Sequence, residues 1–382
     1  MKHACIWTAM IVLAVTAALL AEEAAGTKAV KPVPANDKHI DLVICLDTSG
    51  SMRGLIESAK QKLWAVVNEL ATARPRPKLR VALYHYGNNG LKPQTGWVQK
   101  LCGLTGNLDE IYGKLFPLRT NGGNEYVARV VKAATDELDW NMDKGTLRVI
   151  FVAGNEPATQ DKKYKLQDVC KAAATKGIII NTIFCGAVTV GRRTGWEDAA
   201  RWADGRYAAI DQDRGTVVVN TPYDKKLAEL GAELNKTYVA YGRGGAVGAA
   251  MQKAMDGRAR SLSPAAAAER ATGKASGLYT QEKWDLVDAT KDGKVKLAEV
   301  AEGELPAEMK KMSAKDRQKY LAEKAKQRAD IQRQIQQLSE KRQAYVKKEM
   351  AKLGLSEKQA FDAVLRSAVR AQAEKKNFRF KK

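Results

Sequence analysis

Three oxygen-bearing side chains alternate along one short segment of the sequence. Asp47, Ser49 and Ser51 occupy every second position at the end of Asp41-Leu-Val-Ile-Cys-Leu-Asp-Thr-Ser-Gly-Ser-Met52. One carboxylate and two hydroxyls that face a single point suit a hard divalent cation such as Mg²⁺ or Mn²⁺, which takes oxygen ligands and keeps several waters. This spacing therefore predicts a metal site.

The elements on either side of this segment would bring the three oxygens together. The stretch from Ile40 to Leu46 is a nearly continuous apolar run, typical of a central parallel strand that is covered on both faces. Gly50 allows a tight turn, and the residues from there to Leu70 have helical periodicity. The Asp-x-Ser-x-Ser spacing by itself is common in proteins. The strand before it and the helix after it make the prediction of a metal site specific.

Strands and helices alternate from His39 to about Gly242, which predicts an α/β fold with helices on both faces of a parallel sheet. The predicted strands are residues 40–46, 79–86, 96–101, 146–153, 177–185 and 207–210, and the predicted helices are residues 55–73, 107–115, 126–138, 166–175 and 197–203. In open α/β sheets ligands bind beyond the carboxyl ends of the strands, which is where the Asp47 turn falls.

The Asp-x-Ser-x-Ser turn after an apolar strand resembles the metal-ion-dependent adhesion site of von Willebrand factor A (VWA) domains. Longer phrases resemble a bacterial branch of exported VWA-domain proteins with a helical C-terminal extension: Ala153-Gly-Asn-Glu-Pro157, Asn181-Thr-Ile-Phe-Cys-Gly186, Leu234-Asn-Lys-Thr-Tyr-Val-Ala-Tyr-Gly242 and Trp284-Asp-Leu-Val-Asp-Ala289. The resemblance implies a doubly wound, Rossmann-like VWA sheet over residues 39–242. It also implies that a carboxylate of a protein ligand binds the metal directly.

The resemblance implies two further metal loops. VWA domains usually place a threonine after a Gly-Gly pair, and here Asn124 stands at that position and Glu125 follows. The third loop normally offers an aspartate, and here Asn155 lies nearest with Glu156 beside it. Both departures keep oxygen donors, so we expect a metal site with altered ligands. The alternative is that the two asparagines only satisfy the loop backbone.

A second segment, residues 288–299, has the spacing of a degenerate EF-hand loop. Its calcium ligands would be Asp288, Thr290, Asp292, Glu299 and the carbonyl of Lys294. A threonine replaces the usual third ligand, three lysines repel a cation, and no second loop is available to pair with it. Weak Ca²⁺ binding is one interpretation, and a simple turn between two helices explains the Asp-Gly pair equally well.

The first 21 residues predict a secretory signal, with a short basic start, an apolar run and the small Ala21 before two glutamates. The alternative is an uncleaved anchor, and no other segment is apolar enough to span a bilayer. Residues 22–38 indicate a flexible linker. We therefore expect an exported protein in the periplasm, at the cell surface or outside. The remaining cysteines, Cys45, Cys102, Cys170 and Cys185, permit two disulfides, although Cys45 and Cys185 lie in apolar strands, where a buried free thiol packs as a small apolar group.

The C-terminal part of the sequence is basic and mainly α-helical. The chain has a formal net charge of +21, and residues 307–382 hold 22 Lys and Arg against 9 Asp and Glu. We expect a helical region over residues 243–305 and a basic helical tail over residues 306–382. A face from Ile331 to Tyr345 has coiled-coil spacing but spans barely two heptads. The apolar stripe from Phe361 to Val369 indicates packing within the chain.

Two hypotheses about function follow. The first is an exported, non-enzymatic binding, adhesion or scaffold protein whose VWA domain presents a divalent cation to an acidic side chain of a protein ligand. The alternative is a protein that binds polyanions or an anionic envelope surface through its basic tail, with a non-functional metal site. The sequence contains no dedicated nucleic-acid module and no G-x-S-x-G, H-E-x-x-H or Walker motif. His85 could serve as a base, although such a histidine is more often packed.

Overall fold

The computed structural model describes residues 38–210, 218–352 and 361–380 of the chain. The predicted signal segment, residues 1–21, and nearly all of the predicted linker, residues 22–38, lie outside these ranges. The described residues all belong to one compact unit of the chain.

The described residues contain the following strands and helices. The strands are β1 His39–Asp47, β2 Ala73–Arg74, β3 Lys78–Tyr86, β4 Val98–Thr105, β5 Leu147–Gly154, β6 Ile178–Cys185, β7 Tyr207–Ile210 and β8 Arg379–Phe380. The α-helices are α1 Arg53–Ala71, α2 Leu108–Leu115, α3 Val127–Glu137, α4 Leu166–Thr175, α5 Val188–Arg193, α6 Trp196–Trp202, α7 Asp224–Asn235, α8 Gly245–Leu262, α9 Pro264–Lys274, α10 Leu286–Lys291, α11 Ala307–Lys310, α12 Ala314–Lys352 and α13 Phe361–Lys375.

Six strands form a mixed sheet in the order β4-β3-β1-β5-β6-β7, which confirms the predicted doubly wound α/β fold. β1 lies near the centre and is parallel to both neighbours, with Ile40 opposite Leu79 of β3 and Leu147 of β5. The edge strand β4 differs from the prediction because it runs antiparallel to β3. Residues 87–97, which join the two strands, hold only a short 3-10 turn, so the chain reverses direction without a helical crossover.

The side chains of β1 alternate between two apolar layers. Leu42, Ile44 and Leu46 lie in the layer that contains α1, α2 and α13, whereas Val43 and Cys45 lie in the layer that contains α3, α4 and α6. Successive residues of a strand point to opposite faces, so an apolar run without alternation marks a strand with helices on both sides. This double covering explains the sequence pattern of β1 and holds the turn after Asp47 in place.

The helix α13 completes one of these layers, although it is remote in sequence. Phe361, Leu365 and Val369 are buried in the same cluster as α1 and β1, so the prediction that this stripe packs within the chain is confirmed. Beyond the helix, Phe380 of β8 is paired with Ala73 of β2. The division of the chain at residues 242 and 305 stays a prediction, and α13 contributes directly to the core of the sheet.

The long helix α12 packs on shorter helices of the same chain. It has 39 residues and therefore spans about 58 Å. Ile331, Ile335 and Leu338 contact a cluster from α7 and α9, and Arg342 donates a hydrogen bond of 2.7 Å to Asp224 Oδ1. The face with coiled-coil spacing is thus an intramolecular contact.

The segment of the possible calcium loop, residues 288–299, forms the end of a helix, a turn and a short 3-10 helix. Asp288 lies in α10, where its Oδ1 accepts from Arg328 at 2.8 Å and its Oδ2 accepts from the backbone of Gln281. Thr290 donates to Leu286 O within the same helix. Asp292, Lys294 and Glu299 are exposed, and Glu299 pairs with Lys296. The buried Arg328 supplies the positive charge that Asp288 would otherwise receive from a calcium ion, and Ca²⁺ binding by this segment stays a prediction.

None of the cysteines Cys45, Cys102, Cys170 and Cys185 forms a disulfide, and all four are buried. Burial raises the pKa of Cys102 to about 11 and that of Cys170 to about 12. These side chains therefore pack as small apolar groups. Across the described ranges, every helix is too short or too polar to cross a bilayer.

Candidate metal centre

The predicted metal-binding turn lies at the carboxyl edge of the sheet. Asp47 is the last residue of β1 and its side chain is buried. The backbone N–H of Ser49 donates to Asp47 Oδ1 at 2.7 Å, and the Oγ atoms of Ser49 and Ser51 are 3.3 Å apart. The turn therefore gathers one carboxylate and two hydroxyls as the spacing predicted.

Two further loops meet this turn, and they resolve which of the neighbouring candidates faces it. Asn155, just after β5, donates from Nδ2 to Ser51 Oγ at 2.9 Å. Glu125, from the loop before α3, is buried, and a hydrogen bond with the Ser49 side chain lowers its pKa against the larger, opposite effect of burial. Asn124 and Glu156 are exposed. The structure thus brings Asp47, Ser49, Ser51, Glu125 and Asn155 together and leaves the other two candidates at the rim.

Three oxygen atoms at this edge are buried without a hydrogen-bond partner among the described residues. They are Asp47 Oδ2, Glu125 Oε2 and Asn155 Oδ1, one from each loop. A buried acceptor without a partner costs about 1–3 kcal/mol, and such atoms are rare in folded proteins. An oxygen-seeking cation would satisfy all three at once, so the residues present fit a divalent metal.

The electrostatics of the site also favour binding of a cation. The pKa of Asp47 is raised to about 8, mainly by burial and then by the negative charge of Glu125, while hydrogen bonds from Ser49 oppose the rise. The pKa of Glu125 is raised to about 7 by burial, and the charge of Glu156 adds to this shift. A bound cation would give both carboxylates a positive partner and lower both pKa values.

The donor set relies on neutral oxygens as well as on charge. No group of three or more Asp, Glu, His or Cys side chains is placed to hold a metal ion in any of the three described ranges. An ion at this edge would therefore depend on hydroxyl and amide oxygens beside the carboxylates of Asp47 and Glu125. Such a mixed set suits Mg²⁺, which is commonly bound through one or two carboxylates and several waters.

Two glycines keep space free around the Asp47 carboxylate, and sequence analysis missed both. A Cβ at Gly87, where φ is +74°, would lie 2.7 Å from Asp47 Oδ1 and 2.7 Å from Glu125 Cγ. A Cβ at Gly154 would lie 3.0 Å from Asp47 Oδ2 and 2.5 Å from the hydroxyl of Tyr86. Each glycine stands at the carboxyl end of a strand next to β1, and this position was the signal that could have identified them.

A hydrogen-bonded group behind the turn fixes its position. The Thr48 hydroxyl lies 3.0 Å from His85 Nδ1, and His85 Nε2 lies 2.9 Å from Gln99 Oε1. Burial lowers the pKa of His85, which favours the neutral ring. Asn88 Nδ2 donates to the carbonyls of both Thr48 and Arg119 at 3.0 Å. His85 is therefore a packed residue that holds the turn, and both of its ring nitrogens are occupied.

Residues 41–192 match the family model described as von Willebrand factor type A domain. This match agrees with the doubly wound sheet and with the Asp-x-Ser-x-Ser turn at its carboxyl edge. The chain therefore contains a VWA domain, and a mostly helical region follows it.

Solved structures that match the chain are distant in sequence. Proximal thread matrix protein 1 from the mussel byssus, with a zinc-occupied MIDAS motif, is 14% identical with a TM-score of 0.37, covering 47% of this chain and 44% of that chain. BatB from Bacteroides thetaiotaomicron is 16% identical with a TM-score of 0.36, covering 46% of this chain and 94% of that one. The pilus adhesin SpaC from Lactobacillus rhamnosus GG is 16% identical with a TM-score of 0.34, covering 47% and 28%. The chain thus spans less than half of the mussel protein and of the adhesin, and no curated protein matches it.

Proposed function

We propose that this protein is an exported, non-enzymatic binding protein whose VWA domain holds Mg²⁺ or Mn²⁺, and that a carboxylate of a protein ligand completes the coordination of that ion. The observation that carries the proposal is that the turn and each of the two loops beside it hold one buried oxygen without a hydrogen-bond partner among the described residues: Asp47 Oδ2, Glu125 Oε2 and Asn155 Oδ1. Export rests on the apolar segment of residues 1–21 in the sequence.

Each residue of the site has a distinct part in this proposal. Asp47, Ser49 and Ser51 would hold the ion, and Glu125 and Asn155 would complete the protein's share of the ligands. When bound, the cation supplies a positive, exchangeable point of attachment for an incoming carboxylate. The exposed side chains of Asn124 and Glu156 stand at the rim, where they would meet the partner or bound water.

Replacing Asp47 with alanine is expected to abolish cation binding. It removes the one buried carboxylate of the turn, and loss of a ligand should weaken Mg²⁺ binding by about 100-fold or more. Calorimetric titration of Mg²⁺ and Mn²⁺ into the wild type and Asp47→Ala measures this directly. In thermal unfolding, Mg²⁺ at 100 times the wild-type dissociation constant should stabilise the wild type by about 2.7 kcal/mol and the variant by about 0.4 kcal/mol or less.

Glu299→Ala is the matched control for Asp47→Ala. It also removes one carboxylate, but from an exposed position whose ion-pair partner among the described residues is Lys296. We expect this variant to bind Mg²⁺ as the wild type does. If the wild type shows neither heat nor a thermal shift with either metal, the metal-dependent function is wrong.

Replacing Glu125 with glutamine should have opposite effects on stability and on cation binding. The change removes one of two buried carboxylates that repel each other, so the metal-free protein should gain about 1 kcal/mol at pH 8. The amide is a weaker ligand, so stabilisation by Mg²⁺ should fall. Urea unfolding with and without Mg²⁺ measures both quantities. A metal-free variant that is less stable than the wild type would show that Glu125 is a structural residue.

The alternative function, binding of polyanions through the basic tail, receives less support from the arrangement of that tail. Near the end of the tail, Phe378 is 2% exposed and lies under the ammonium group of Lys38, so its ring is not available to a partner. The lysines of α12 are exposed except for Lys324, which is half-buried and donates to the carbonyl of Lys236. The apolar side chains of the C-terminal segment therefore pack in the core of the protein. We retain the cation-dependent function as the proposal.

A further inference from the structure

A cleft of about 580 Å³ lies beside the metal-binding edge. It is bounded by the start of α1, by the chain after α2 and by the end of α8. We call it the basic cleft and define it by Arg53, Glu57, Lys60, Phe116, Arg119 and Ser261. Pockets that bind ligands commonly have volumes of about 300–1,000 Å³, so the cleft is large enough for one or two side chains of a partner.

The basic cleft and the metal edge share the same loops. Arg53 begins α1 two positions after Ser51. On the other side, Asn88 Nδ2 donates to the carbonyl of Arg119 and also to the carbonyl of Thr48, the residue after Asp47. A ligand that reaches the cation from this side would therefore extend directly over the cleft.

The charge of the basic cleft is positive and is only partly neutralised. Lys60 is buried, and its Nζ donates to Glu57 Oε1 at 3.0 Å and to the carbonyl of Leu118 at 3.1 Å, so Lys60 and Glu57 offset each other. Arg53 and Arg119 are exposed, and neither forms an ion pair with any carboxylate of the described residues. Two guanidinium groups thus remain available to an anion.

We propose that the basic cleft is a second anchor for the ligand of the metal site, which makes that ligand an acidic peptide segment with at least two carboxylates. This inference rests on the proposed cation-dependent function. One carboxylate would bind the cation and another would pair with Arg53 and Arg119, whose planar groups match a carboxylate. The half-buried ring of Phe116 offers an apolar contact to a peptide chain that a free inorganic anion would not use.

Fluorescence anisotropy with two labelled peptides tests the proposal on the full chain in Mg²⁺. The first probe is hexa-aspartate, and the second is a neutral glycine-serine peptide with a single aspartate. Combining Arg53→Ala with Arg119→Ala should weaken hexa-aspartate binding by about tenfold or more. The same double variant should leave calorimetric Mg²⁺ binding and the single-aspartate peptide unchanged, because the metal ligands remain.

Arg243→Ala is the matched control, since this exposed arginine lies beyond the other end of α8, about 27 Å along the helix. We expect it to bind hexa-aspartate as the wild type does. Hexa-aspartate binding that requires Mg²⁺ and Asp47 but is unchanged in the Arg53 and Arg119 double variant would overturn the second anchor. The proposed cation-dependent function would still stand.

Two other outcomes would overturn the inference in different ways. Hexa-aspartate binding that persists in EDTA and in Asp47→Ala would remove the cation-dependent function, and the two-point ligand with it. Displacement of the peptide by inorganic tripolyphosphate at lower concentrations than by unlabelled hexa-aspartate would assign the cleft to phosphate anions instead of an acidic peptide.

Discussion

Replacing Arg328 with alanine is expected to lower the free energy of unfolding by about 3–5 kcal/mol. The side chain is 5% exposed, and its Nη1 donates to Asp285 Oδ2 at 2.7 Å and to Asp288 Oδ1 at 2.8 Å. Nη2 donates to the carbonyl of Thr237 at 2.7 Å, and Nε donates to the hydroxyl of the same residue. The guanidinium also lies 4.0 Å from the ring centre of Tyr238.

The large effect follows from what the truncation leaves behind. Asp285 is completely buried and Asp288 nearly so, and without Arg328 both carboxylates lose the positive charge that offsets their desolvation. Breaking a buried pair on one side costs far more than the intact pair contributes, because an uncompensated charge remains inside. The network thus fixes α12 against α10 and the end of α7.

The pH dependence of this variant gives a second measurement. Burial raises the pKa of Asp288 even in the wild type, and Arg328 opposes the rise, so truncation should raise that pKa further. A carboxyl group whose pKa is higher in the folded protein than in the unfolded chain costs little stability while it is protonated. As the pH rises and the group ionises, it destabilises the folded protein increasingly. The deficit of Arg328→Ala should therefore shrink as the pH falls from 7 towards 4.

Urea unfolding followed by circular dichroism measures both effects, with Arg333→Ala as the control. Arg333 lies on the same helix and pairs with Asp330, but both side chains are exposed. Its truncation should change stability by less than about 0.5 kcal/mol. A deficit below about 1 kcal/mol for Arg328→Ala would mean that water replaces the arginine and that the network does not hold α12.

The sequence was sufficient for features that depend on local patterns. The apolar run of β1 and the turn from Asp47 to Ser51 are encoded within a dozen residues, so strand, turn and ligands could be predicted together. The choice between Asn124 and Glu125 could not be made in this way. It depends on which side chain the loop buries against Ser49, and two loops from distant parts of the chain determine this.

Contacts across long sequence separations explain most of the remaining differences. The Asp-Gly turn after Asp288 fits a calcium loop when it is considered alone, and its actual partner, Arg328, is 40 residues away. In the same way, α13 fills a place on the sheet next to α1 although the basic character of its sequence suggested a tail. Hydrophobic pattern indicates that a face will be buried, and it does not indicate which element will cover it.

A second buried arginine, Arg270, links the VWA sheet layer to the helices that follow it. Arg270 lies in α9 and is 1% exposed, and it donates to Asp109 Oδ1 of α2 at 2.7 Å and to Asp256 of α8. Asp256 also accepts from Lys274 at 2.8 Å, and Asp109 accepts from the hydroxyl of Tyr279 at 2.6 Å. The arginine therefore bridges two carboxylates on elements that the sequence alone would assign to separate regions.

Arg270→Ala is expected to destabilise the protein by about 3–5 kcal/mol, because Asp109 would keep only a neutral hydroxyl as its partner in a buried site. Arg270→Lys should recover only part of this loss, since an ammonium group cannot reproduce the planar fork that reaches both carboxylates. The control is Arg260→Ala, which removes an exposed arginine from α8. Urea unfolding ranks the free energies of unfolding of the three variants. Limited proteolysis should show earlier cleavage around α8 in Arg270→Ala alone. If Arg270→Lys is as stable as the wild type, one positive charge suffices and the bridging geometry has no role in joining the two parts of the chain.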